Sequence, residues 1–159
     1  MIHAKELLSD QLLANANDPS WYLPFSESVE NLREEEAFWK PNGNCNNIAE
    51  IVQHLLYWNE TWQIRYQKSH ANAVSSLENN NKSFVVPENV RFDQLKGRLL
   101  EVLLNWQDLL SEEKMEDDVI GFSVPAKWWA VIGNVTTHNA YHIGQIIYIR
   151  KLQKSLKVE

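Results

Sequence analysis

The sequence predicts an all-α four-helix bundle. Three observations carry that expectation. Four long stretches place apolar residues at helical spacing, no stretch sustains the alternation of a strand, and the last of the four runs from about 127 to 153 without a proline.

Residues 2–16 set Ile2, Leu7, Leu8, Leu12 and Leu13 in helical register and end near Asn17-Asp18-Pro19. Trp21-Tyr22-Leu23-Pro24 follows as an aromatic turn, because proline restricts the residue before it. Residues 26–32 read as a helical continuation with Ser26 as cap. The run Glu34-Glu35-Glu36 reads as a solvated face, and Lys40-Pro41-Asn42-Gly43 as a turn. The second long helix is expected to start at Asn46 or Asn47, since Asn47 followed by Glu50 fits a capping box, and to fade after Arg65-Tyr66. Its stripe takes in Ile48, Ile51, Val52, Leu55, Leu56, Trp58 and Trp62.

Residues 69–87, rich in Asn and Ser, predict a long connection with an extended patch at Phe84-Val85-Val86. The third helix is expected from about Glu88 to Leu110, with Gly97 costing about 1 kcal/mol relative to Ala. An acidic loop within 108–118 leads through Gly121 and Pro125 to the fourth helix. There, Gly133, Thr137, Ala140 and Gly144 form a small-residue stripe that permits close helix approach, within the bundle or between subunits.

Composition narrows the function classes. A chain of 159 residues fits one domain, 1–159, and 44% hydrophobic with 11% aromatic residues excludes a largely disordered chain. Seven Trp point to a core or pocket walled by aromatic rings. The formal net charge is −6 and no basic stripe stands out, so a nucleic-acid partner is not expected. The single cysteine, Cys45, rules out an intramolecular disulfide and fits a reducing compartment. With no charged-then-apolar leader and no long apolar run, the expectation is a cytoplasmic protein without a membrane partner.

The chemistry concentrates at residues 137–146, Thr-His-Asn-Ala-Tyr-His-Ile-Gly-Gln-Ile. Residues four apart share a helix face, so His138 and His142 aim at one point, with Asn134 and Gln145 a turn to either side. Polar groups on an apolar helix need partners, since an unpaired buried one costs about 1–3 kcal/mol. A divalent metal is one such partner. The pair resembles H-E-x-x-H, but Asn139 stands where a zinc protease needs glutamate, and that reading is rejected. His54 shares a face with Ile51, Trp58 and Thr61 on the second helix. Taken alone it reads as a hydrogen-bonded core histidine; beside the pair it becomes a third nitrogen ligand. Three protein ligands leave an open position, the mark of a catalytic rather than a structural metal site. His3 and His70 read as surface residues.

These residues are similar to the DinB/YfiT-like superfamily of small bacterial proteins. The matching pieces are 47–58 (Asn-Ile-Ala-Glu-Ile-Val-Gln-His-Leu-Leu-Tyr-Trp), Trp21-Tyr22-Leu23-Pro24, and the H-x-x-Y-H-x-G-Q-I of residues 138–146. The resemblance covers nearly the whole chain. It implies an up-down-down-up four-helix bundle, often a homodimer, with zinc, nickel or iron on three histidines that map onto His54, His138 and His142. Tyr22 departs from the family's W-H-x-P turn, which argues against a further ligand there.

The resemblance further implies a metal-dependent enzyme acting on a small-molecule substrate, foremost a transferase of a low-molecular-weight thiol such as bacillithiol, mycothiol or glutathione. The alternatives are a metal-dependent hydrolase and a metal-binding stress-response bundle without turnover. Trp58, Tyr141 and Gln145 are the expected pocket wall or hydrogen-bonding groups. No general base stands near the three histidines, because Glu60 lies on a different face of the second helix from His54.

Overall fold

The computed structural model describes residues 3–156; among them are seven α-helices, two 3-10 segments and no strand. Four helices are long: α1 (Ala4–Ala16), α4 (Ile48–Gln67), α5 (Phe92–Leu109) and α7 (Trp128–Leu156). Three are single turns: α2 (Phe25–Ser28), α3 (Glu34–Ala37) and α6 (Glu112–Met115). At 29 residues, α7 extends roughly 43 Å and spans the molecule. The start expected for the first helix, Ile2, lies outside the described residues.

Both α1 and α4 pack against α5 and against α7, so the long helices close a ring with α1 and α4 on the diagonal. Directions follow from the side chains that meet. Glu60 pairs with Arg98, Gln63 reaches Val102 and Tyr66 receives the Ser111 N–H, so α4 and α5 advance together. His54 faces His142, Asn59 faces Asn139 and Tyr66 meets Trp128, so α4 and α7 run oppositely.

Local chemistry sets the helix starts. At α4 the Asn47 side chain accepts the Glu50 N–H and the Glu50 carboxylate accepts the Asn47 N–H, both at 2.8 Å. Helix α5 begins at Phe92, later than the expected Glu88, because Asn89 takes a left-handed φ of 66° just after Pro87. Its first N–H, from Phe92, donates to the Glu34 carboxylate at 3.0 Å, a negative charge where the helix dipole favours one. Glu34 stays exposed, as expected of this run, and also anchors α5. The expected continuation over 26–32 is shorter: α2 starts at Phe25 after Pro24, ends at Ser28, and Ser26 does not cap it. In the 69–87 connection, Ala71–Ala73 and Asn80–Phe84 wind into 3-10 turns. Phe84 closes the second turn instead of joining an extended patch. Within the acidic stretch, Glu112–Met115 forms α6.

Two apolar clusters hold the bundle. One gathers Phe25, Ile48, Val52, Leu55, Leu99 and Leu103 with Ile143, Ile146 and Ile149 of α7. The other gathers Leu12, Tyr66, Trp106 and Met115 with Trp128, Ile132 and Val135. Along α7 the residues between the two clusters include the buried polar Thr136, Asn139 and His142. A polar layer thus interrupts the core at mid-helix. Burying such groups is tolerable only when each finds a partner. Of the small-residue stripe on α7, Gly133 lies beside Leu8 of α1, while Thr137 and Gly144 are exposed.

Candidate metal centre

In the polar layer, Asn59 of α4 and Asn139 of α7 exchange amide hydrogen bonds at 2.8 and 3.2 Å. Trp106 Nε1 of α5 adds a bond to Asn59 Oδ1 at 2.9 Å. Asn139, standing where a zinc protease carries glutamate, thus clamps three helices together.

One turn away, His54, His138 and His142 converge, with one ring nitrogen from each within 4.8 Å of the others. His54 Nε2 and His138 Nε2 lie 3.0 Å apart. His54 and His142 are buried, at 2% and 7% exposure. His3 and His70 stand elsewhere. His3 is exposed and pairs with Glu112, as expected for a surface residue. His70 is half-buried instead: its Nδ1 accepts the Asn72 N–H, and its ring packs on Gly121, where a Cβ would collide with it.

Hydrogen bonds fix which nitrogens face the cluster. Ser83 Oγ donates its one proton to the Asn80 carbonyl at 2.5 Å, so it accepts from His54 Nδ1–H at 2.6 Å. His142 Nδ1–H donates to Gln145 Oε1 at 2.7 Å. Both rings are therefore held with Nε2 as a bare lone pair. The 3.0 Å separation of His54 Nε2 and His138 Nε2 is that of a hydrogen bond donated by a neutral His138 Nε2–H, whose proton a metal ion would replace. Nitrogens bound to one zinc at about 2.0–2.1 Å stand roughly 3.3 Å apart, so the donor set fits.

Electrostatics point the same way. Burial, with His142 and His138 adding repulsion, pushes the His54 imidazole down to about 3. Burial and His142 push His138 down to about 4. His142 is lowered by burial, against the hydrogen bond it donates to Gln145, which raises it. At neutral pH all three rings are neutral, the form a metal ion binds.

A cavity of about 430 Å³ opens beside the cluster, with His54 and His138 in its wall. The rings of Trp58, Trp62 and Phe122 and the side chains of Val131 and Val135 supply its apolar lining. Its remaining polar groups are the amides of Asn59, Asn80 and Asn134. Trp58 thus lies at the cavity, and its Nε1 donates to Asn80 Oδ1 at 3.1 Å. Gln145 and Tyr141 line a separate groove of about 600 Å³ that also contains Cys45. Gln145 acts on the cluster through His142, and Tyr141, 65% exposed, sets its ring 4.9 Å from that of His142. Glu60 is bound to Arg98 at 2.6 Å. Tyr22 donates to Asn15 Oδ1 at 2.9 Å, so this turn is tied to α1.

Sequence reasoning missed Ser83, Asn80 and Phe84, whose ring stacks on His54 at 3.9 Å and 8°. The available signal was Asn79, whose side chain accepts the Asn81 N–H and starts the turn that delivers all three.

The model of the DinB superfamily matches residues 25–146. A crystal structure of the DinB-like protein YjoA from Bacillus subtilis superposes with a TM-score of 0.68 at 15% identity, covering 92% of each chain. That likeness is one of fold. No curated protein matches the chain. Among the described residues no helix is long and apolar enough to cross a membrane.

Proposed function

This chain belongs to the DinB superfamily, and on that premise we propose that it is a metal-dependent enzyme that transfers a low-molecular-weight thiol to a small electrophile. One observation carries the reading: three neutral imidazoles, two of them with Nε2 freed by Ser83 and Gln145, meet beside a 430 Å³ cavity that His54 and His138 line. Cavities of this size enclose small molecules.

His54, His138 and His142 would hold a divalent ion, with zinc, nickel and iron as the candidates. When bound, the ion would supply undiminished positive charge, which favours the thiolate form of a thiol or the hydroxide form of water. The protein's own groups position and shield. Trp58 and Trp62 wall the cavity on one side, while Ser83 and Gln145 fix the ring orientations. Thiol transfer is preferred over hydrolysis because the cavity lining contains no carboxylate to relay a proton from water. The homodimer expected of the family would use exposed side chains of α7 such as Tyr141, Tyr148 and Leu156. Light scattering of the purified protein tests that part, and a monomer at all concentrations removes it.

The central test is thiol consumption by metal-loaded and chelator-treated protein against a panel of electrophiles. Metal-dependent loss of thiol is expected. Metal-dependent product formation without thiol would move the assignment to hydrolysis. Tight metal binding with no turnover of any electrophile or ester would leave a binding bundle.

A further inference from the structure

We infer that the cavity beside the histidines selects an uncharged, flat, largely apolar substrate and rejects carboxylates. This rests on the reading of the cavity as the substrate site.

Among the described residues the lining carries no Lys, Arg, Asp or Glu. The charged groups of α4 nearby stand outside the lining. The Arg65 guanidinium is buried behind the Trp62 ring, 4.7 Å from its centroid, and donates to the Val74 carbonyl at 2.9 Å, with its Nε left unpartnered. Glu60 is held by Arg98. An anionic group in the cavity would give up its water without meeting a cation, and an unpaired buried charge is the costliest group to desolvate.

What the lining does offer is flat and weakly polar. Trp58 and Trp62, one helical turn apart on α4, present two indoles on one side, and the Phe122 ring meets Trp62 edge-on at 6.0 Å. Aromatic rings favour offset or edge contacts with another ring, so this wall suits a planar guest. The amides divide by availability. Asn59 is used on both ends, by Asn139, Leu55 and Trp106. Asn80 spends its side-chain oxygen on Trp58, leaving its NH2 group for a guest. Asn134, exposed at the mouth, can give or accept a hydrogen bond. Two neutral amides over aromatic walls recognise a carbonyl, amide or hydroxyl on a flat apolar body. A thiol that carries carboxylates would have to keep them outside the cavity.

The test uses metal-free protein at about pH 8, where the histidines are neutral and no ion can attract an anion. Matched probes, naphthamide against naphthoate and benzamide against benzoate, are titrated by calorimetry and ligand-observed NMR. The amides should bind saturably, and the carboxylates at least about tenfold more weakly. Asn134→Trp, at an exposed position, should block the mouth and abolish amide binding. Asn134→Lys should narrow or reverse the preference by supplying the missing cation. Carboxylates bound as tightly as amides, no saturable amide binding, or amide binding unchanged in Asn134→Trp would each overturn the inference. Metal content is measured on the same preparations. Protein that prefers amides but takes up no metal removes the enzymatic reading and leaves the cavity's selectivity. Protein that loads metal but prefers carboxylates does the reverse.

Discussion

His54 and His138 stand 84 residues apart in the chain and bring their Nε2 atoms to 3.0 Å, on helices that run in opposite directions. Ser83 holds the far side of His54, and His142 joins from the turn after His138. Metal uptake should therefore depend on the three rings jointly. His138→Ala or His142→Ala should strip most of the metal, while His3→Ala and His70→Ala should retain it. Metal analysis of the four purified variants decides the matter, and equal loss in His70→Ala would mean that the wrong triad has been chosen.

Ser83 tests whether ring orientation matters apart from ligand count. In Ser83→Ala, His54 Nδ1 loses its 2.6 Å acceptor and the ring can turn over or take the other tautomer. Removing such an outer partner typically costs about 10–100-fold in metal affinity. That loss is expected with an unchanged circular dichroism spectrum. Affinity equal to wild type would show that the Phe84 stack alone holds the ring.

The sequence shows the parts of this site that depend on local geometry. His138 and His142 fall on one face because four residues make about one turn, and Asn47 with Glu50 announces α4 because both bonds close within four residues. Ser83 and Glu34 were not legible for the opposite reason. Ser83 meets His54 across 29 residues of connection, and Glu34 meets Phe92 across 58. No periodicity encodes such a pairing; it exists only once α4, α5 and the 3-10 turn have packed. Tyr141 shows a further limit, since a neighbouring position on α7 turned it to the groove beside Cys45 and away from the cavity at Trp58.

Asn139 predicts a stability effect separable from metal binding. Replacing it with Ala leaves the Asn59 amide short of a partner inside the core. An unsatisfied buried polar group costs about 1–3 kcal/mol. Asn139→Ala should lose about that much unfolding free energy, and Asn59→Leu should be destabilised as well, because it also orphans the Trp106 Nε1–H. Equal stability of wild type and Asn139→Ala in urea would show that the clamp does not contribute.

Acid should weaken the metal-free fold through the buried rings. The ordinary histidine value is about 6.5, and the fold holds His138 at about 4 and His54 at about 3. Between those values the unfolded chain binds more protons than the native one, so stability falls as pH drops through that window and is flat in this respect above it. His138→Leu removes one such group and should show a shallower loss between about pH 6.5 and 4 in urea titrations. A slope identical to wild type would place the His138 proton equilibrium outside the cluster.

The last prediction separates a working site from a structural one. Cross-linking α4 to α7 through an ion would stabilise the native state by RT ln(1 + [L]/Kd), about 3 kcal/mol at a hundredfold excess over Kd. For a chain of this size, that corresponds to roughly 6–12 °C in Tm. Yet the fold should not depend on the ion. One apolar cluster lies to either side of the polar layer, with Trp106 and Trp128 fully buried in one and Phe25 and Phe92 in the other. The layer itself is satisfied by Asn59, Asn139, Ser83 and Gln145, and the three histidines are neutral, so no charge repulsion is released when the ion leaves. Chelation should therefore lower Tm by that range and leave a helical protein with one cooperative transition, while turnover of any substrate found for it should disappear. Circular dichroism melts with and without chelator measure the first part, and re-addition of metal after chelation measures the second. Collapse to an unfolded chain would make the ion a structural element, as in a zinc finger, and would shift the weight from the enzymatic reading to a bundle that only binds metal.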